Sequence, residues 1–158
     1  MEPRFTANLY LQRPAEAYKV LQDMAAIFRA ILSYGGSAFS VQQDAPSDAY
    51  SLFVPANVVD GVFKYEGSAR GTKKSGCIVW WNNPDNQYKL EPEFVSDPDL
   101  VVKYGVENLE LSPIGCTSRG QALRLAKWAL YTEAHEGETV SFSVGSIGAA
   151  VPMGRVFQ

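Results

Sequence analysis

From Arg4 to Gln12, apolar and polar positions alternate. Phe5, Ala7, Leu9 and Leu11 fall on one face, and Thr6, Asn8, Tyr10 and Gln12 on the other. A period of two predicts a half-buried strand. The period then lengthens. Pro14 suits the first helical position, with Glu16 in the first turn. Ala17, Val20, Leu21, Met24, Ile27, Phe28 and Ile31 recur at helical spacing, and the Tyr34–Gly36 stretch supplies a glycine stop. This stripe, Met24 included, reads as core.

The segment from Ser37 to Val54 reads as two short strands about the turn DAPSD, followed by a turn at PANVVDG. VFKYEGSAR and GCIVWWNN are predicted strands flanking a basic loop, and NNPDNQ is dense in turn residues. YKLEPEFV is predicted as an extended segment whose Pro92 suggests a sheet edge. DPDLVVKYG is a predicted short helix closed by Gly105, and VENLEL alternates as a strand. A second long helix starts at an S-x-x-Q capping box, Ser118 and Gln121. Its stripe is Ala122, Leu125, Ala126, Ala129 and Leu130, and Gly137 follows as a stop. ETVSFSVG alternates again, with Val140, Phe142 and Val144 inward, and the chain runs out through a strand-like Arg155 to Gln158. The expected class is α+β: two main helices packed on mostly antiparallel sheet, one domain over residues 1–158.

Composition changes this picture little. At 158 residues, 46% hydrophobic and 20% charged, the chain is long enough for one real core. A net charge of −3 gives no bulk attraction for nucleic acid or an anionic membrane, so neither is expected as a partner. The basic run ARGTKKSG, Ala69 to Gly76, is short and reads as a solvated hairpin loop. No apolar run reaches the roughly 18 residues of a membrane span, and the N-terminus lacks a signal pattern.

The loop before the second helix raises a chemical question, because helix N-termini bind anions and lower thiol pKa. A phosphatase-type loop from Cys116 needs an arginine where Ala122 stands; Arg119 and Arg124 are at the wrong spacing. A cysteine protease needs a histidine base, and His135, the chain's one histidine, lies more than about 20 Å along the helix. A phosphate-binding loop counted from Gly67 finds Thr72 in place of glycine. Two cysteines, Cys77 and Cys116, make no disulfide framework or zinc set, and DNQ and DPD lack the rest of a calcium loop. No catalytic, metal or cofactor residue is assigned. The expectation is no enzyme, no cofactor and a thiol that reacts slowly. Among the carboxylates, Glu91 and Glu93 share one strand face and read as a solvated edge. Trp80 and Trp81 must point to opposite strand faces, one into the core and one outward. Trp81, Tyr88 and Tyr104 are the interaction candidates, and Ser118 with Gln121 the structural cap.

Several separated segments resemble one family: PANVVDGVFKYEGSAR, WNNPDNQY, VKYGVENLELSPIGCTSRGQA and the helix running into ETVSFSVG. They look like the tip attachment protein J family, the tail-tip hub and central fibre (host specificity) proteins of lambda-like phages and prophages. The resemblance runs from about residue 4 to 158. It implies an internal segment of a much longer chain, with a fold like that of baseplate-hub domains. It implies a structural component of the virion tail tip, made in the bacterial cytoplasm. That component would join tail tube to fibre and serve host attachment and DNA delivery indirectly. The implied partners are other hub proteins and copies of itself in a trimer, with receptor contact placed further along the full chain. The competing readings are a tail-borne cell-wall hydrolase, needing convergent carboxylates, and a carbohydrate-binding module stacking sugar on a tryptophan.

Overall fold

The computed structural model describes residues 2–11, 16–35, 38–67 and 73–158. The chain forms α1 (Ala17–Ile27), β1 (Ala30–Gly35), β2 (Ala38–Gln43), β3 (Lys64–Gly67), β4 (Gly76–Asn83), β5 (Lys89–Ser96), α2 (Pro98–Tyr104), β6 (Asn108–Leu111), α3 (Arg119–His135) and β7 (Glu138–Ser141). Single 3-10 turns sit at Val59–Gly61, Pro84–Asn86 and Ser146–Ala150. The class is α+β, with antiparallel pairs β1–β2 and β3–β7 and a three-stranded sheet ordered β5-β4-β6. In that sheet β5 is antiparallel to β4, and β6 is parallel to it.

The main core lies between the three-stranded sheet and α3. Alternation along β4 sends Cys77, Val79 and Trp81 to one face, all buried. They meet Ala122, Ala126, Ala129 and Leu130 of α3, with Cys116 sealed beside them. Small residues at positions i, i+4 and i+7 let the helix approach the sheet closely, and Trp81 supplies the bulk they leave out. Ser75 fastens the start of β4 to the α2–β6 connection: its Oγ donates to Gly105 O at 2.6 Å and accepts from Glu107 N at 3.0 Å. A second cluster packs Phe53, Phe63 and Phe157 around Phe142, with ring centroids 5.0–5.5 Å from its ring.

Five expectations are corrected. Residues 4–11 form no strand; the segment is instead tied to the start of α3 by hydrogen bonds, including Asn8 N to Gly115 O at 2.9 Å. At Gly115, φ is 64° and an added Cβ would stand 3.2 Å from the Asn8 backbone, so both conformation and space require glycine. The first long helix stops at Ile27 rather than at the glycine pair, and Arg29 takes φ 58° to turn the chain. Ile31 and Tyr34 then belong to β1, which pairs with β2 over six residues from Ala30↔Gln43 to Gly35↔Ala38. Cross-strand pairing of an alternating run outcompeted helix continuation, so Gly35 is the last paired residue of β1, opposite Ala38, rather than the end of a helix. The expected partner strand about Leu52 and Val54 amounts to an isolated Ser51–Phe157 bridge. The strands flanking the basic loop do not pair with each other, since β3 joins β7 while β4 joins β5 and β6. Lys73, expected in a solvated loop, is buried and donates from Nζ to Glu133 O at 2.6 Å, satisfying a carbonyl in the last turn of α3. Gln12 of the expected first strand, Pro14, Gly36 and residues 69–72 of the basic loop lie outside the described residues.

Candidate functional site

Three side chains were expected to meet partners, and the fold places them apart. Trp81 is only 6% exposed, locked between β4 and α3, and therefore is not a surface residue. The outward tryptophan is its neighbour Trp80, half-buried on the opposite sheet face. Tyr88 is 60% exposed at the β4–β5 turn, where Gln87 and Tyr88 both adopt left-handed backbone, with φ 55° and 57°. The turn is held by Tyr88 N donating to Asn83 O at 2.8 Å and Asn82 Nδ2 donating to Tyr88 O at 3.0 Å. Tyr104 is half-buried at the end of α2, 5.1 Å from Lys103 Nζ. Eight residues of β4 separate the two tyrosines, about 25 Å of extended chain. They share no site.

The register assembles a different patch. Trp80 stands opposite Pro92, Ile78 opposite Phe94 and Asn82 opposite Leu90. All six therefore share the sheet face that α3 does not cover. Leu90 and Phe94 are 57% and 56% exposed. An antiparallel pair with one solvated face normally carries polar residues there; this one carries Ile78, Trp80, Leu90, Pro92 and Phe94. The signal was present in the sequence as Leu90 and Phe94 at period two with Pro92 between them, but an alternating strand does not say which of its faces is buried.

The loop before α3 is a structural joint. Ser118 Oγ accepts from Gln121 N at 3.1 Å and donates to the Glu2 carboxylate. Gln121 does not reach back to the cap. Its Oε1 accepts from Thr6 N at 2.9 Å and Thr6 Oγ1 at 2.8 Å, and its Nε2 donates to Thr6 O at 3.1 Å. Cys116 is fully buried, and its thiol contacts Ser118 O at 3.6 Å. Burial pushes its pKa up, and burial pushes Cys77 up to about 11. Arg119 turns away to pair with Glu93, while His135 stacks on Tyr131 at 4.0 Å near the far end of α3. Glu91 accepts from Asn83 and Asn86, each at 2.9 Å, and those hydrogen bonds hold its carboxyl below the usual range. Glu91 and Glu93 thus have separate partners and do not converge as an acid–base pair. Among the described residues no cluster of three metal-ligating side chains occurs, and no helix is long and apolar enough to cross a membrane.

Comparison with known proteins adds what this geometry alone does not give. The model of a family described as "Putative phage tail protein" matches residues 16–156. The chain is similar to the Tip attachment protein J of Escherichia phage SECphi27, at 30% identity over 155 residues, 98% of this chain and 13% of that protein. It is also similar to the Tip attachment protein J of Escherichia phage SECphi4, at 33% identity over 148 residues, 93% of this chain and 13% of that protein. The chain spans about 13% of the length of these curated relatives. With nearly all of its α+β core inside the matched region, the chain belongs to this phage tail protein family.

Proposed function

We propose that this segment is a structural module of a phage tail-tip hub, joining the tail tube to the central fibre and doing no chemistry. The observation that carries the reading is similarity to two tip attachment proteins over 93–98% of the chain. The structure supports it in two ways. The chemically suggestive groups are sealed or separately paired, as Cys116, Glu91 and Glu93 illustrate. Conversely, the apolar face of Trp80, Leu90, Pro92 and Phe94 is left for a neighbouring hub domain or a second copy in a trimer. Strand β5 lies at the edge of the same sheet, so that face and a free ladder edge are presented together. The hub would position the fibre that meets the host, so attachment and DNA delivery depend on it indirectly.

Virion composition and immunogold labelling test this directly. Peptides of this chain should co-purify with tail proteins in intact particles, and antibody raised against it should mark the end of the tail distal to the head. Absence from purified virions, or labelling of the head, would overturn the reading.

A further inference from the structure

A cleft of about 520 Å³ opens between α1 with β1 on one side and α3 with the Ser112–Ile114 loop on the other. Its walls are mainly apolar, with Ile27, Ile31, Leu125 and Trp128 among them. Arg29 stands at the boundary between this cleft and a small recess of about 20 Å³ that Arg4 and Arg124 also line. That recess has room for one oxygen-sized group. Three arginines therefore line one small recess in a chain whose net charge is −3.

Arg29 and Arg4 are held there by rings, whereas Arg124 is held by the Glu2 carboxylate and the carbonyls of Pro3 and Arg4. Arg29 Cζ sits 4.9 Å from the Trp128 ring centroid and 5.6 Å from that of Phe5, and Arg4 Cζ sits 5.5 Å from Phe5. Glu2 pairs with Arg124, at 3.4 Å, and with neither of the others. The Nε atoms of Arg29 and Arg124 are buried and have no hydrogen-bond partner among the described residues. Buried donors without acceptors are costly, and two of them on one recess point to a missing acceptor. Burial and the nearby Arg4 both disfavour the charge on Arg29, and the Asp44 carboxylate offsets them in part.

We propose that this cleft receives an extended peptide from elsewhere in the tail, with an apolar side chain in the cleft and an adjacent carboxylate on the arginines. Charge complementarity selects the carboxylate, and the apolar walls select the side chain beside it. Asp23 and Asp44 also line the cleft. They would accept hydrogen bonds from the N–H groups of a peptide, donors that a fatty acid does not offer. The supply of such a segment is ample, since this chain matches only 13% of each tip attachment protein. The proposal rests on the assembly reading for the source of the peptide; its test needs only this chain, so either can fail alone.

The test is an NMR titration of the chain with N-acetyl-Leu-Glu-amide, following the indole N–H of Trp128 and the Nε–H signals of Arg29 and Arg124. Both sets should shift along one saturating curve. N-acetyl-Leu-Gln-amide should bind about tenfold more weakly, and so should the acidic peptide to Arg29→Gln or Arg4→Gln. Arg4 lies on an exposed segment outside the helices and strands, so its variant remains informative if Arg29→Gln unfolds. Equal binding of the glutamine peptide, or no shift at tens of millimolar, overturns the proposal. Inorganic phosphate reproducing the arginine shifts without Trp128 would make this a free-anion site instead. Octanoate matching the acidic peptide would make it a fatty-acid site.

Discussion

A thiol reacts as its thiolate, and a thiolate needs water, a cation or a helix dipole to stabilise it. Cys116 has the dipole nearby but is fully buried, and the nearest arginine in sequence, Arg119, is committed to Glu93. Both cysteines should therefore alkylate at neutral pH at least about a hundredfold more slowly than a free thiol, unless denaturant is added. Rapid modification of Cys116 in the folded protein would contradict this. Alkaline stability follows from the same burial. Cys77 holds its proton in the fold to about pH 11, against 9.0 when unfolded. Below pH 9 the two states bind the same number of protons. Above it only the unfolded chain releases one, so stability is lost as pH rises towards 11, by about 2 kcal/mol from this group. Comparing melting curves of the parent and Cys77→Val at pH 8 and pH 11 isolates that share; an identical alkaline loss in both would refute it. The thiol's inertness was legible in the sequence because it followed from missing partners at fixed spacings. The identity of the buried tryptophan was not. Trp80 and Trp81 were known to face opposite ways, but only the position of α3 decides which one it covers.

At the scale of elements, α3 was the most readable part of the chain because its signals are local. Ser118, the alanine stripe and the turn before Gly137 all act within a few residues. What the sequence could not show was that Gln121 spends its side chain on Thr6, which is 115 residues away. Two variants separate these roles. Ser118→Ala removes the cap and should cost about 1 kcal/mol in denaturant unfolding. Gln121→Ala breaks three hydrogen bonds to Thr6. It should cost at least as much, about 1–3 kcal/mol, and should additionally raise amide exchange across residues 5–9 while the α3 core stays protected. Uniform exchange in both variants would mean that the N-terminal segment and the helix open together. The first helix was misread because the run AILSYG satisfies both periods: Ile31 extends the helical stripe, yet Ala30, Leu32 and Tyr34 also recur at the period of a strand. Only the pairing with β2 resolves it. Likewise, two strands either side of a short basic loop suggest a hairpin by proximity, whereas their partners lie far along the chain.

At the scale of the whole molecule, the apolar surface is divided between sealed and open layers. The face of β4 and β5 towards α3 is closed, and the face carrying Trp80, Leu90 and Phe94 is open. If that open face is the contact between copies, light scattering with size-exclusion chromatography should show concentration-dependent association of the isolated chain. Phe94→Asp should shift it to monomer with little change in melting temperature, since Phe94 is already 56% exposed. A monomer at every concentration would assign the face to a neighbouring hub domain rather than to a second copy. The α+β class was legible because helical and strand periods occur in distinct blocks. The choice of neighbours in each sheet was not, because β3–β7 and β4–β6 pairings are decided by tertiary packing rather than by any local pattern.

The bond between Thr6 and Gln121 also sets an order of events during synthesis. A ribosome adding roughly 5–20 residues per second needs about 6–23 s to proceed from one to the other. Throughout that interval Phe5 has no α3 to lie against, and Arg4 and Arg29 have no Trp128 or Arg124 beside them. The earliest part of this segment to leave the ribosome is thus among the last to find its place. A nascent chain halted before residue 121 should expose its first ten residues to protease even if the α1–β1–β2 unit has already folded.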